Sequence, residues 1–168
     1  MNGLFSFLNR LMGVQWNFFR AVIHAWLFVF SLSLVLGFFA IRVLWLSALP
    51  APIDLPPSFN DLFLVVIFAP LGETLLLSLV VYLLRRGLKV TSPLPICVVV
   101  ALLAGLTHGV AIPAWFITAF GAFFILTFMY LTWYAEGPSA RGYWAACLPH
   151  ALNNLSAIIF IWAWDLVD

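Results

Sequence analysis

Charge is scarce in this chain: seven Lys and Arg and six Asp and Glu are all that its 168 residues carry, for a formal net charge of +1. So few cations form no basic stripe to neutralise phosphates, which excludes a nucleic-acid partner. Cysteine is almost missing. Cys97 and Cys147 both fall in apolar segments, where a small buried hydrophobe is the expected role and a disulfide framework has no basis. The opening MNGLFSFLNRLMGVQWNFFR lacks a compact apolar core followed by a small-residue cleavage site, so no cleavable signal peptide is expected. No internal repeat is visible, which weighs against a transporter built from inverted repeats.

What is abundant is apolar surface. Hydrophobic residues make up 65% of the chain and the mean hydropathy is +1.15, values that belong to an integral membrane protein. Five segments approach the ~20 residues needed to cross the hydrocarbon core. They are placed at about 21–48, 61–84, 94–112, 114–134 and 143–165. Between them lie the proline-rich ALPAPIDLPPSFND, the basic RRGLKVTSP, the short GVAIPA, in which Pro113 opens the fourth helix, and the polar AEGPSARG. Ahead of them, Leu4, Phe5, Leu8, Leu11, Met12, Trp16 and Phe19 recur at helical spacing opposite Asn2, Ser6, Asn9, Arg10 and Asn17. Such a helix either lies along the membrane interface or docks as a lead-in to the first span. The expected fold is an all-α polytopic membrane bundle of about five transmembrane helices plus an N-terminal amphipathic helix. It forms a single integral membrane domain over 1–168, with 1–20 interfacial and 21–165 the bundle.

If the spans alternate, Arg10, Arg20, Arg85, Arg86, Lys89 and Arg141 share one side, and Asp54, Asp61, Asp165 and Asp168 the other. Because loop cations mark the cytoplasmic face, the N-terminus is expected inside and the C-terminus outside, in a bacterial inner membrane. Arg42, near the end of the first span, is placed to snorkel to the outer interface.

Against this background one residue stands out. Glu73 is the single charge in the apolar run from Leu62 to Leu84. An intramembrane carboxylate costs at least ~2.5 kcal/mol to insert and is a functional-site candidate by default. The other polar groups at such depth are His108, His150, Asn153 and Asn154. His150 and Asn154 are four apart and share a helix face, while Asn153 points about 100° away. Counting ~1.5 Å per residue from the inner helix ends puts Glu73 and Asn154 at roughly 16 Å, His150 at roughly 10 Å and His108 at roughly 22 Å, so His108 fits least well. Pro70 and Gly72 beside Glu73, and Pro149 beside His150, loosen both helices where the polar groups sit, which is tolerated in a membrane only inside protein or around a wet cavity. The competing structural readings are a Glu73 bonded to a neighbouring helix, a His108 reaching the interface, and His150 and Asn154 as interhelical glue. His24, near the inner end of the first span, reads as interfacial, and the tryptophans as interface belts.

The sequences APLGE at Ala69–Glu73, a histidine closing a later apolar helix at His108, and HALNN at His150–Asn154 resemble the three motifs of the CPBP family of intramembrane proteases, the CAAX-processing, bacteriocin-processing or Abi proteins. The order, the spacing within the third motif and the placement in separate spans match from about residue 65 to 160. The first motif departs: Thr74 stands where that family has a second glutamate, Ser78 where it has an arginine, and Ala104 replaces a phenylalanine. Glutamate and arginine would form an ion pair, and their joint loss leaves no orphan charge. The resemblance implies that Glu73 activates a water for attack on a peptide carbonyl, that His108 holds and polarises this water, and that His150 and Asn154 stabilise the oxyanion. A positioned carboxylate and neutral His and Asn donors are also what this chemistry needs by itself.

The leading expectation is therefore an intramembrane endopeptidase acting on a membrane-embedded or membrane-proximal segment of another protein, a C-terminal sorting signal among the candidates. Its partners are that substrate and the lipid bilayer. No cofactor is expected. Glu with two His is a conceivable zinc set, but it lacks the HExxH spacing and is not favoured. The alternative is a non-catalytic CPBP-like interaction or immunity protein.

Overall fold

The computed structural model describes residues 3–44, 58–135, 137 and 139–165. Asp54, Asp168, the proposed last residues of the first span and most of the proline-rich loop lie outside the described residues. Among those described, the chain forms six helices and no strand: α1 (Gly3–Met12), α2 (Phe18–Arg42), α3 (Phe59–Gly87), α4 (Pro93–Ala111), α5 (Pro113–Ala135) and α6 (Ser139–Asp165). The last five are long and apolar enough to cross a membrane, as the hydropathy pattern predicts.

The helix ends follow local chemistry. Asn17 caps α2 by accepting a hydrogen bond from the Arg20 amide at 2.8 Å. Ser58 and Asp61 form a reciprocal capping box at the start of α3, so this helix begins inside the segment read as loop. Pro93 and Pro113 occupy the first positions of α4 and α5, where a missing N–H costs nothing. At the far end of α3, Lys89 adopts a left-handed φ of 56°, and the Val90 amide turns back onto the Leu84 carbonyl at 3.0 Å. Helix α2 ends at Arg42, earlier than expected, so this cation stands at the helix terminus.

Helix α5 is the centre of the bundle. Two thirds of its most apolar window (67%) is buried, against 17–33% in the other spans, because α4, α2 and α6 all pack on it. A contiguous core runs from Val29 of α2 through Ile96 and Cys97 of α4 and Leu126 and Met129 of α5 to Ala145 and Ala146 of α6. Trp26 of α2 donates from its ring nitrogen to the Ser156 hydroxyl of α6 at 3.0 Å. Helix α1 folds back along α2, with Phe7 against Phe28 and the His24 ring nitrogen 2.8 Å from the Leu11 carbonyl. Its apolar stripe of Phe5, Leu8 and Met12 is buried in the bundle, Phe5 lying edge-on to Phe128.

Helix α3 is held differently. It packs mainly on α6 and barely meets α4, so a cleft opens between α3 and α4.

Candidate active site

The site is built on an interruption in α3. Between Phe63 and Phe68 the helix is wound with π-type spacing, so that the Ala69 amide bonds back to the Leu64 carbonyl. The next amide in that ladder would belong to Pro70, which has none, and the Val65 carbonyl loses its backbone donor. Asn154 of α6 supplies the missing hydrogen bond, its Nδ2 donating to the Val65 carbonyl at 3.0 Å. The Tyr143 hydroxyl donates to the Leu71 carbonyl at 2.8 Å. Helix α3 is thereby clipped to α6 on both sides of Pro70, and Glu73 follows directly.

Glu73 faces two imidazoles from two other helices. Its Oε2 lies 3.5 Å from His150 Nε2 on α6, and its Oε1 lies 3.9 Å from His108 Nε2 on α4. Both separations exceed a direct hydrogen bond and suit Coulombic attraction or a bridging water. His108 Nδ1 sits 2.8 Å from the Ala104 carbonyl, which can only accept, so Nδ1 donates there and Nε2 is the nitrogen that faces Glu73. His150 differs. Its Nδ1 is buried without a partner, and its Nε2 is the nitrogen that faces the carboxylate, so Nε2 is where a proton is useful. Each imidazole thus presents its Nε2 to one oxygen of the same carboxylate.

Exposure divides the three. The His150 side chain is 7% exposed, whereas Glu73 and His108 are 30% and 31% exposed and line a cleft of about 230 Å³ between α3 and α4. Leu76, Val80, Leu103 and Phe123 give this cleft apolar walls. Phe123 of α5 also supports both histidines: its ring meets His150 edge-on with centroids 5.1 Å apart and lies 5.9 Å from His108. Sequence reasoning missed Phe123, since one Phe among 17 in a uniformly apolar helix carries no mark of its own.

Of the four residues singled out, Glu73, His108 and His150 converge. His108, which fitted least by depth, is in the cluster, while Asn154 engages Val65, eight residues before Glu73 and ~12 Å away along α3. Asn153 has a buried Oδ1 without a hydrogen-bond partner, and His24 lies apart, against Trp16 and the Leu11 carbonyl. Pro149 does not break its helix: it is fully buried and α6 continues through it as α-helix. At the divergent motif positions, Thr74 is buried and the Ser78 hydroxyl donates to the Thr74 carbonyl at 2.8 Å, which satisfies it within the helix. Among the described residues no group of three His, Cys, Asp or Glu is drawn together tightly enough to hold a metal ion.

No curated protein and no solved structure matches this chain. The protein-family model described as type II CAAX prenyl endopeptidase Rce1-like matches residues 56–156, a stretch that runs from just before α3 to just beyond Asn154 and contains Glu73, His108, His150 and Asn154. Covering more than half of the 168 residues, this match places the chain in the Rce1-like family of CAAX endopeptidases.

Proposed function

We propose that the protein is an intramembrane endopeptidase in which Glu73 is the general base. The observation that carries this reading is the carboxylate flanked at 3.5 and 3.9 Å by imidazoles from two other helices, with Glu73 and His108 lining an apolar cleft. A water held between Glu73 Oε1 and His108 Nε2 gives its proton to Glu73 as its oxygen attacks the peptide carbonyl carbon. The oxyanion that forms takes a hydrogen bond from His150 Nε2–H. Collapse of the tetrahedral intermediate breaks the C–N bond, and the departing amine takes the proton back from Glu73. General-base assistance of this kind contributes about 10²–10⁴-fold, and one oxyanion donor about 10²–10³-fold. Asn154 acts one step removed, by fixing α3 at Val65 so that Glu73 meets the histidines.

The apolar lining of the cleft and its opening between two spans support a substrate that arrives from the lipid: a membrane-embedded or membrane-proximal segment of another protein, with a C-terminal sorting signal as one such substrate. The cations at one end of the bundle support a cytoplasmic N-terminus and an external C-terminus in a bacterial inner membrane.

Thr74 and Ser78, in place of an ion pair, favour a second reading, a non-catalytic interaction or immunity protein on the same fold. Substrate processing in cells, scored as a size shift at matched membrane levels, separates the two. Glu73→Gln keeps the shape of the side chain and removes the base, so processing is expected to stop. Full processing by that variant would leave only the interaction reading.

A further inference from the structure

A second cleft, of about 400 Å³, opens at the basic end of the bundle, where α1, the end of α3, the start of α4 and the end of α5 meet. It is separate from the Glu73 cleft and shares no lining residue with it. Its lining is largely apolar, Phe5, Phe128, Leu94 and Leu131 among it. Arg85, Asn9, Ser92 and Thr132 supply its polar groups. Arg85 is half-buried, its Nε is closed off from solvent and makes no hydrogen bond, and among the described residues no carboxylate lies within ion-pair distance. Its charge is felt by two tyrosines, the Tyr134 ring 5.9 Å from Cζ and Tyr130 beside it, and neither is an anion. Ser92 stands before α4 with a hydroxyl that makes no capping bond. A guanidinium with an unused donor, beside a hydroxyl that makes no capping bond, is chemically suited to receive an anion.

We propose that this cleft binds the phosphate of a membrane phospholipid, with the phosphodiester on Arg85 and the neighbouring polar groups and one acyl chain along Phe5 and Phe128. Three observations select a lipid phosphate. The volume suits a headgroup with the first part of a chain. The apolar lining would be wasted on a free anion. Arg86 and Lys89, which follow Arg85, put the cleft at the level where basic residues meet headgroups.

The test is native mass spectrometry of the purified full chain in nonionic detergent, titrated with phosphatidylglycerol. The expected result is one tightly held lipid per chain, with Kd raised about 10-fold or more by Arg85→Gln. Arg86→Gln, which removes an exposed cation one residue away, changes Kd less than about 2-fold, and Arg85→Lys, which keeps the charge, falls between. Inorganic phosphate in excess does not displace the lipid. Equal weakening by Arg85→Gln and Arg86→Gln would show a diffuse basic surface and overturn the site. Displacement by inorganic phosphate alone would show a free-anion site and overturn the lipid assignment.

Discussion

The hydrogen bond between Asn154 and Val65 makes a prediction that a contact map alone does not. Asn154→Ala removes the side-chain donor that reaches the Val65 carbonyl in place of the amide that Pro70 lacks. A carbonyl left without a donor away from water costs about 1–3 kcal/mol, although interhelical hydrogen bonds in membranes average nearer ~0.6 and reach ~1.7. A loss of about 1–1.5 kcal/mol is therefore expected, a drop in Tm of about 2–6 °C for a chain of this size. The cause is specific, because the carbonyl is orphaned only while residue 70 has no N–H. Pro70→Ala restores that amide, so the same Asn154→Ala change made on a Pro70→Ala background should cost about 1 kcal/mol less. The assay is a double-mutant cycle by reversible unfolding in mixed micelles. Additivity within about 0.3 kcal/mol would refute the argument that Asn154 replaces the missing amide.

Other expectations follow from the same geometry. Phe123→Leu keeps most of the volume beneath the two histidines and should cost less than about 1.5 kcal/mol in stability, while lowering the cleavage rate by more than that loss explains; unfolding and turnover measured on one preparation check this. A Cβ at Gly142 would stand 2.8 Å from the Tyr130 carbonyl, so Gly142→Ala should push α5 and α6 apart and destabilise by about 1–3 kcal/mol, whereas Gly72→Ala, which meets open space beside Glu73, should be neutral or stabilising by up to ~1 kcal/mol in the same unfolding assay. If the water is activated by Glu73 alone, prolonged chelation with EDTA leaves the cleavage rate unchanged, and a loss that zinc restores would point to a metal held by Glu73, His108 and His150.

The number of spans is legible because a bilayer demands about twenty apolar residues per crossing, and few other patterns mimic that. Helix ends are less so: Ser58 and Asp61 start α3 through side-chain capping inside a segment that reads as a polar, proline-rich loop. Glu73, His108 and His150 are conspicuous for the reason that makes them costly, namely polarity in an apolar run. Their convergence was not legible from depth, since counting residues from an assumed common inner level does not fix how far the helices are offset or tilted against one another, and His108 of one helix still reaches Glu73 of another. Asn154 was flagged by the same polarity, yet its partner is a backbone carbonyl, freed by a proline, and carbonyls leave no trace in a sequence. Phe123 was hidden for the opposite reason, being one more aromatic in a helix full of them. The Arg85 cleft needed the return of α1 onto the bundle, which amphipathic spacing allows but does not specify.

The central claim is that Glu73 and His150 act as one catalytic unit. The most direct test measures single-turnover cleavage of a membrane-anchored peptide by reconstituted wild type, Glu73→Gln, His150→Ala and the double variant. Residues that work on one transition state are strongly non-additive. The account predicts a loss of about 10²–10⁴-fold for Glu73→Gln and no further loss in the double variant. A Glu73→Gln rate within tenfold of wild type, or losses that simply multiply, would contradict it.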